Sequence, residues 1–243
     1  MTLGAMLSLG VPLNVLEEGL ASLGLNEFEL SITEKEYDGS PVTDVDVILY
    51  NKEHAWIHPY IGKYRNYGEI KAMIERADFS SNLKKLSRRI FDIKAQAESE
   101  AHGVTVNEVQ FHEVGAVDSI VDVVGTAICL DYVGAERVIS THVPTGFGSI
   151  ECACGTLPVP APATAAILKN TGLPHYRSDV EQELLTPTGA AILAGVVDDF
   201  LFDVDFDETL KASDIHQIGR GIGKRKTGLP PMTMMLAETD ERR

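Results

Sequence analysis

Cysteine, tryptophan and early basic residues are scarce in this chain of 243 residues. Three cysteines cannot form a disulfide framework, so nothing ties the chain to an oxidising compartment, and a reducing cytoplasm is the natural setting. The first basic residue is Lys35. The apolar opening run Met1–Leu16 therefore lacks the charged start of a secretory leader and reads as helix. No apolar run is long enough to span a bilayer. Positive charge is also short: 21 Lys and Arg stand against 36 Asp and Glu, a formal net charge of −15. That balance excludes non-specific binding to nucleic acid or to anionic membrane and favours a cation as partner. Low-complexity linkers and internal repeats are absent.

With 44% hydrophobic residues, the chain can bury a large core. Helical spacing marks Met1–Gly10 and Asn14–Leu23. Alternation over Phe28–Tyr37 and Val42–Tyr50, joined by Asp38-Gly39, marks a hairpin. A loop, Asn51–Arg65, precedes helices at Tyr67–Ala77 and Asn82–Gly103 and a very apolar helix at Asp118–Tyr132. Arg137–Val143 is β-branched enough for a buried strand, and Ile150–Val159 continues extended. Proline-led helices follow at Ala163–Lys169 and from Thr186-Pro187. Beyond Phe200, a glycine run at Gly219–Gly223 and the apolar Met232–Ala237 predict a closing β-unit. The expected fold is α/β, a mixed sheet with packed helices and a small β-rich C-terminal end, in one domain over 1–243 with a possible sub-lobe at 201–243.

Chemistry concentrates in residues 111–122. His112 and Glu113 precede a glycine turn, and Asp118 and Asp122 share one face of the helix that follows. Such a set suits a hard cation or acid/base work; helix capping by Asp118 or Ser119, with a solvated Asp122, is the bland alternative. In extended chain, Cys152 and Cys154 place two soft ligands on one side. His54 and His58 flank Trp56 in a loop, where histidines are more often surface residues than ligands. Thr186, Thr188 and Gly189 open a helix that can hold a phosphate on its free N–H groups, or simply cap it. Arg220 stands in the glycine run as a weaker phosphate contact.

Three motifs, Val109–Asp122, Gly155–Thr164 and Leu185–Ala190, resemble in order the LarC family of nickel-insertion proteins, and the likeness extends from Gly4 to about Leu236. The resemblance implies a cytoplasmic cyclometallase of the lyase class. It would insert Ni(II) into pyridinium-3,5-bisthiocarboxylic acid mononucleotide with CTP and Mn or Mg, and its product would serve lactate racemase. On that footing His112, Glu113, Asp118 and Asp122 become candidates for holding nickel or removing a ring proton, and Cys152, Cys154, His54 and His58 for metal delivery. Many relatives have Cys-x-His where this chain has Cys152-Ala-Cys154, and a dense histidine tract where it has only His54 and His58. The family's opening segment, Asp-x-Phe-x-Gly-Ile-Ser-Gly-Asp-Met, aligns its last residue with Met1, and the family's nucleotide-binding second part would begin beyond Leu236. The expectation is an enzyme half completed by a separate nucleotide-binding part, and self-associating as a homo-oligomer through an open sheet edge. A non-catalytic nickel-delivery module is the alternative. A magnesium-dependent phosphate-ester hydrolase fits the bare motifs but not the family.

Overall fold

The computed structural model describes residues 1–50, 65–106, 109, 117–152, 155–200 and 214–238. Helices α1 (Thr2–Ser8) and α2 (Leu13–Ala21) lead into a long antiparallel hairpin, β1 (Phe28–Tyr37) and β2 (Ser40–Leu49). Its turn is Asp38-Gly39, and both residues take positive φ, as a two-residue turn between twisted strands requires. Helix α3 (Tyr67–Arg76) starts on a capping box: Asn66 accepts from the Glu69 N–H while the Glu69 carboxylate accepts from Asn66. Helix α4 (Ser81–His102) ends on Gly103 in the left-handed conformation.

At the centre lies α5 (Val117–Val133), buried at every position from Val123 to Cys129 and in contact with α1, α2, α4 and α7. A helix apolar on all sides is stable only when wrapped in this way. After it come short strands β3 (Ile139–Ser140), β4 (Val143–Thr145), β5 (Ser149–Cys152) and β6 (Gly155–Pro158). Then follow α6 (Pro162–Thr171), β7 (His175–Arg177), α7 (Pro187–Val196) and β8 (Asp199–Phe200). Strands β9 (Asp214–Ile222) and β10 (Met232–Glu238) close the described chain.

The main sheet is mixed, in the order β1-β2-β9-β10, with β2 and β9 parallel and the other pairs antiparallel. The β-rich C-terminal end is thus the second half of the sheet begun by the first hairpin. Phe28, Leu30, Val45, Val47 and Leu49 on its inner face pack against the core. Helix α1 crosses β9 so closely that a Cβ on Gly219 would lie 2.2 Å from the Ala5 carbonyl oxygen, and one on Gly221 2.0 Å from that of Met1. Backbone meets backbone there, and the Arg220 N–H donates to Ser8 Oγ at 3.0 Å. The glycine run is therefore part of a strand shaped to admit a helix, within the β-unit expected there.

Two strand expectations change. Arg137–Val143 is not one buried strand: β3 has two residues, and Ile139 is 42% exposed. A β-branched run alone does not report burial, and here only the short parallel partner β8 pairs with it. Ile150–Val159, expected as one extended run, is two antiparallel strands that pair as far as Cys152↔Gly155.

Candidate functional site

Helix α5 brings two predicted carboxylates together in its first turns. Asp118 is exposed, and its Oδ1 accepts from the Ser119 N–H at 2.8 Å, in the turn where the helix dipole favours an anion. One turn on, Asp122 faces a water-poor setting. Burial pushes its carboxyl from the ordinary value of 3.8 up to about 6; the chain's amino group and Lys94 pull the other way, and Asp118 adds to the rise. Such a group is ionised at neutral pH yet takes a proton readily, as a general base requires.

Lys94, not anticipated from sequence, anchors the same corner. It lies on the buried stripe of α4 with Leu83, Ser87, Ile90, Phe91 and Ala97, and it has no solvent exposure. Its ammonium donates to Thr188 Oγ1 at 2.5 Å and to Ser119 Oγ at 3.3 Å, and the two hydroxyls are 3.3 Å apart. A buried cation is tolerable only where donors meet acceptors in this way. Three helices, α4, α5 and α7, thus converge on one hydrogen-bonded knot. Its signal was in the sequence: a lysine occupying a core position of an amphipathic helix.

The start of α7 is already engaged. Thr186 Oγ1 accepts from the Gly189 N–H at 3.1 Å as an ordinary N-cap, and the Thr188 hydroxyl belongs to the knot. Arg220 sits mid-strand, on the sheet face opposite Gly219 and Gly221 and so away from α1. Lys224, just past β9, pairs with Asp46 at 2.7 Å. That bond holds its ammonium pKa up, with Asp44 and Asp118 adding to the effect. Lys35 pairs with the buried Asp44 at 2.5 Å. Cations from the sheet thereby reach the field around Asp118.

His54, His58, His112, Glu113 and Cys154 lie outside the described residues, as does the side chain of Cys152. Among the described residues no three His, Cys, Asp or Glu groups come together as a metal site. Cys129 is buried, and burial pushes its thiol up to about 12, so it is inert packing.

Carboxylates on a buried helix, one tuned towards neutrality and braced by a buried lysine, define an α/β protein with a polar site suited to cation and proton handling. The profile described as "Nickel insertion protein" matches residues 1–242, and the chain belongs to that family. It is 40% identical over 230 residues to the pyridinium-3,5-bisthiocarboxylic acid mononucleotide nickel insertion protein of Acetivibrio thermocellus, covering 94% of this chain and 54% of that protein. To the protein of the same description from Clostridium kluyveri it is 41% identical over 246 residues, covering 100% of this chain and 59% of the relative. A putative nickel insertion protein of Geotalea uraniireducens is 43% identical over 202 residues, which is 82% of this chain and 49% of that protein. The chain therefore spans about half the length of the curated relatives it matches. No solved structure matches it. No described helix is long and apolar enough to cross a membrane.

Proposed function

We propose that this chain carries the nickel-insertion half of a cytoplasmic cyclometallase acting on pyridinium-3,5-bisthiocarboxylic acid mononucleotide. The observation that carries the reading is the nickel-insertion match across residues 1–242, supported by relatives described for that substrate at about 40% identity. Insertion exchanges a ring C–H for a metal–carbon bond: the carbon's electron pair goes to nickel, the proton goes to a base, and the two thiocarboxylate sulfurs complete the pincer. Asp122 is the base we assign to that proton, its carboxyl being ionised above about pH 6. Asp118, exposed at the mouth of the same turn, meets the incoming cation, with His112, Glu113, Cys152, Cys154, His54 and His58 as further donors along the delivery path. Lys94 holds the Ser119 and Thr188 hydroxyls, fixing the starts of α5 and α7 around the reacting ring. Thr186, Thr188 and Gly189 then shape the site, and Arg220 serves at the sheet surface.

The described residues do not fit CTP with Mn or Mg, because the glycine run is a strand and no carboxylate cluster gathers beside it. That requirement falls to a separate nucleotide-binding part, and no step here passes through it. Anaerobic incubation of the chain with Ni(II) and the nickel-free nucleotide, with and without CTP and the complementary part, tests the reading by mass spectrometry. Nickel-bearing product is the expected outcome. Tight nickel binding without product in any combination would replace it with the delivery-module reading, and binding of neither nickel nor nucleotide would end both.

A further inference from the structure

With the α7 start already capped and Thr188 held in the knot, the anionic end of a mononucleotide needs another seat. A groove of about 430 Å³ lies at the parallel pair β4 and β7, within the range of roughly 300–1,000 Å³ that small-molecule sites occupy. Its walls include Phe147, Gly148, Pro160, His175 and Arg177, and in this strongly acidic chain none of its lining residues is Asp or Glu.

Arg177 is the arginine that lines this groove; it has no ion pair among the described residues and rests its guanidinium 5.1 Å above the centre of the Phe147 ring. Stacking fixes the plane of the cation and leaves its N–H edge for a phosphate, which it matches in bidentate fashion. His175 lies two residues away on the same side of β7. Its Nδ1 donates to the Leu173 carbonyl at 2.9 Å, so the neutral ring carries its second lone pair on Nε2, ready to accept from a sugar hydroxyl. The strand pair is rigid, since Thr145 is buried, its Oγ1 donates to the Tyr176 carbonyl at 3.2 Å and its own carbonyl accepts from Ser178 at 2.8 Å.

We infer that this groove seats the phosphate and ribose of the mononucleotide, with Arg177 on the phosphate and His175 on the ribose. The inference rests on the proposed function for its choice of ligand and assigns that ligand a place. Calorimetric titration of the whole chain with nicotinate mononucleotide, a commercially simple pyridine ribotide, tests it against nicotinate riboside and inorganic phosphate. Arg177→Ala weakens mononucleotide binding about tenfold or more, Arg177→Lys less, and His175→Ala a few-fold. Arg137→Ala, which removes an exposed arginine elsewhere, leaves it unchanged. The riboside binds weakly and equally to wild type and Arg177→Ala, because its missing phosphate removes what Arg177 reads.

Equal mononucleotide affinity in wild type and Arg177→Ala, with unchanged circular dichroism, would overturn the inference. So would an equal loss with the riboside, inorganic phosphate binding as tightly as the mononucleotide, or no mononucleotide binding at all. Nickel insertion measured in parallel separates the two readings: insertion with Arg177-independent binding defeats the groove alone. Arg177-dependent binding without insertion in any combination defeats the nickel reading and keeps the groove.

Discussion

Lys94 and Arg177 are cations in one acidic chain with opposite settings. Lys94 has no exposure and donates to two hydroxyls on two other helices. Arg177 is exposed on a short strand and holds an aromatic face, with no carboxylate partner among the described residues. The first cation is tied into the protein and therefore acts on what surrounds it, including the protonation of Asp122. The second is left for something that arrives. The proposed roles are thus separated: proton handling is assigned to the closed polar knot, and anion recognition to the open groove.

The sharpest way to break that division is at Asp122. Asp122→Asn should lower nickel insertion by about 100-fold or more, while Arg177→Ala should lower it only at substrate concentrations below saturation. A kcat loss for the groove variant, or full activity for the Asp122 variant, would erase the distinction.

Stability separates the two places next. Lys94→Ala opens a cavity and removes the donor shared by Ser119 and Thr188, a cost of roughly 2–5 kcal/mol in urea unfolding. Arg177→Ala should stay within about 0.5 kcal/mol, as exposed positions do. Equal costs would mean that Arg177 is structural.

The pH dependence of unfolding isolates Asp122 itself. Its folded carboxyl titrates at about 6 against an ordinary value of 3.8, so folding favours the protonated form. This contribution is complete below about pH 4 and is lost as pH rises through about 6; at about 1.4 kcal/mol per pH unit it is on the order of 3 kcal/mol. Asp122→Asn should flatten that decline and be the more stable protein at pH 7, even as insertion fails. A parallel pH profile for wild type and variant would remove Asp122 from the role of base.

The smallest effect is expected at Asp118. Asp118→Asn should lower Asp122's carboxyl pKa by relieving a neighbouring negative charge, moving the acid limb of the insertion profile down by a few tenths of a pH unit. An upward movement would contradict the arrangement.

Much of this architecture was legible in local chemistry. The Asp38-Gly39 turn, the helix stop at Gly103, the Thr186-Pro187 start and the strongly apolar α5 were each written in a few adjacent residues, and each formed. Asp118 and Asp122 were legible for the same reason, since helical spacing alone puts them on one face. What escaped depended on distant partners. Lys94 falls on the core stripe of its helix, but the acceptors that make it tolerable there, Ser119 and Thr188, come from other helices, and Arg177 acquires meaning only when Phe147 lies beneath it. The glycine run was expected in a closing β-unit, but the reason for its glycines, the backbone of α1, lies more than two hundred residues earlier.

That contact has a consequence for how the protein is made. Thr43 of β2 meets Gly221 of β9, and both lie beside α1, so residues from the start of the chain wait for residues near 220 before the sheet is whole. During synthesis β2 remains an open edge for most of the chain's length, a template for wrong strands until the right one emerges. The seam between Gly4, Gly219 and Gly221 therefore ties the first helix to the last third of the chain: a nascent chain halted before β9 lacks the strand that α1 and β2 meet.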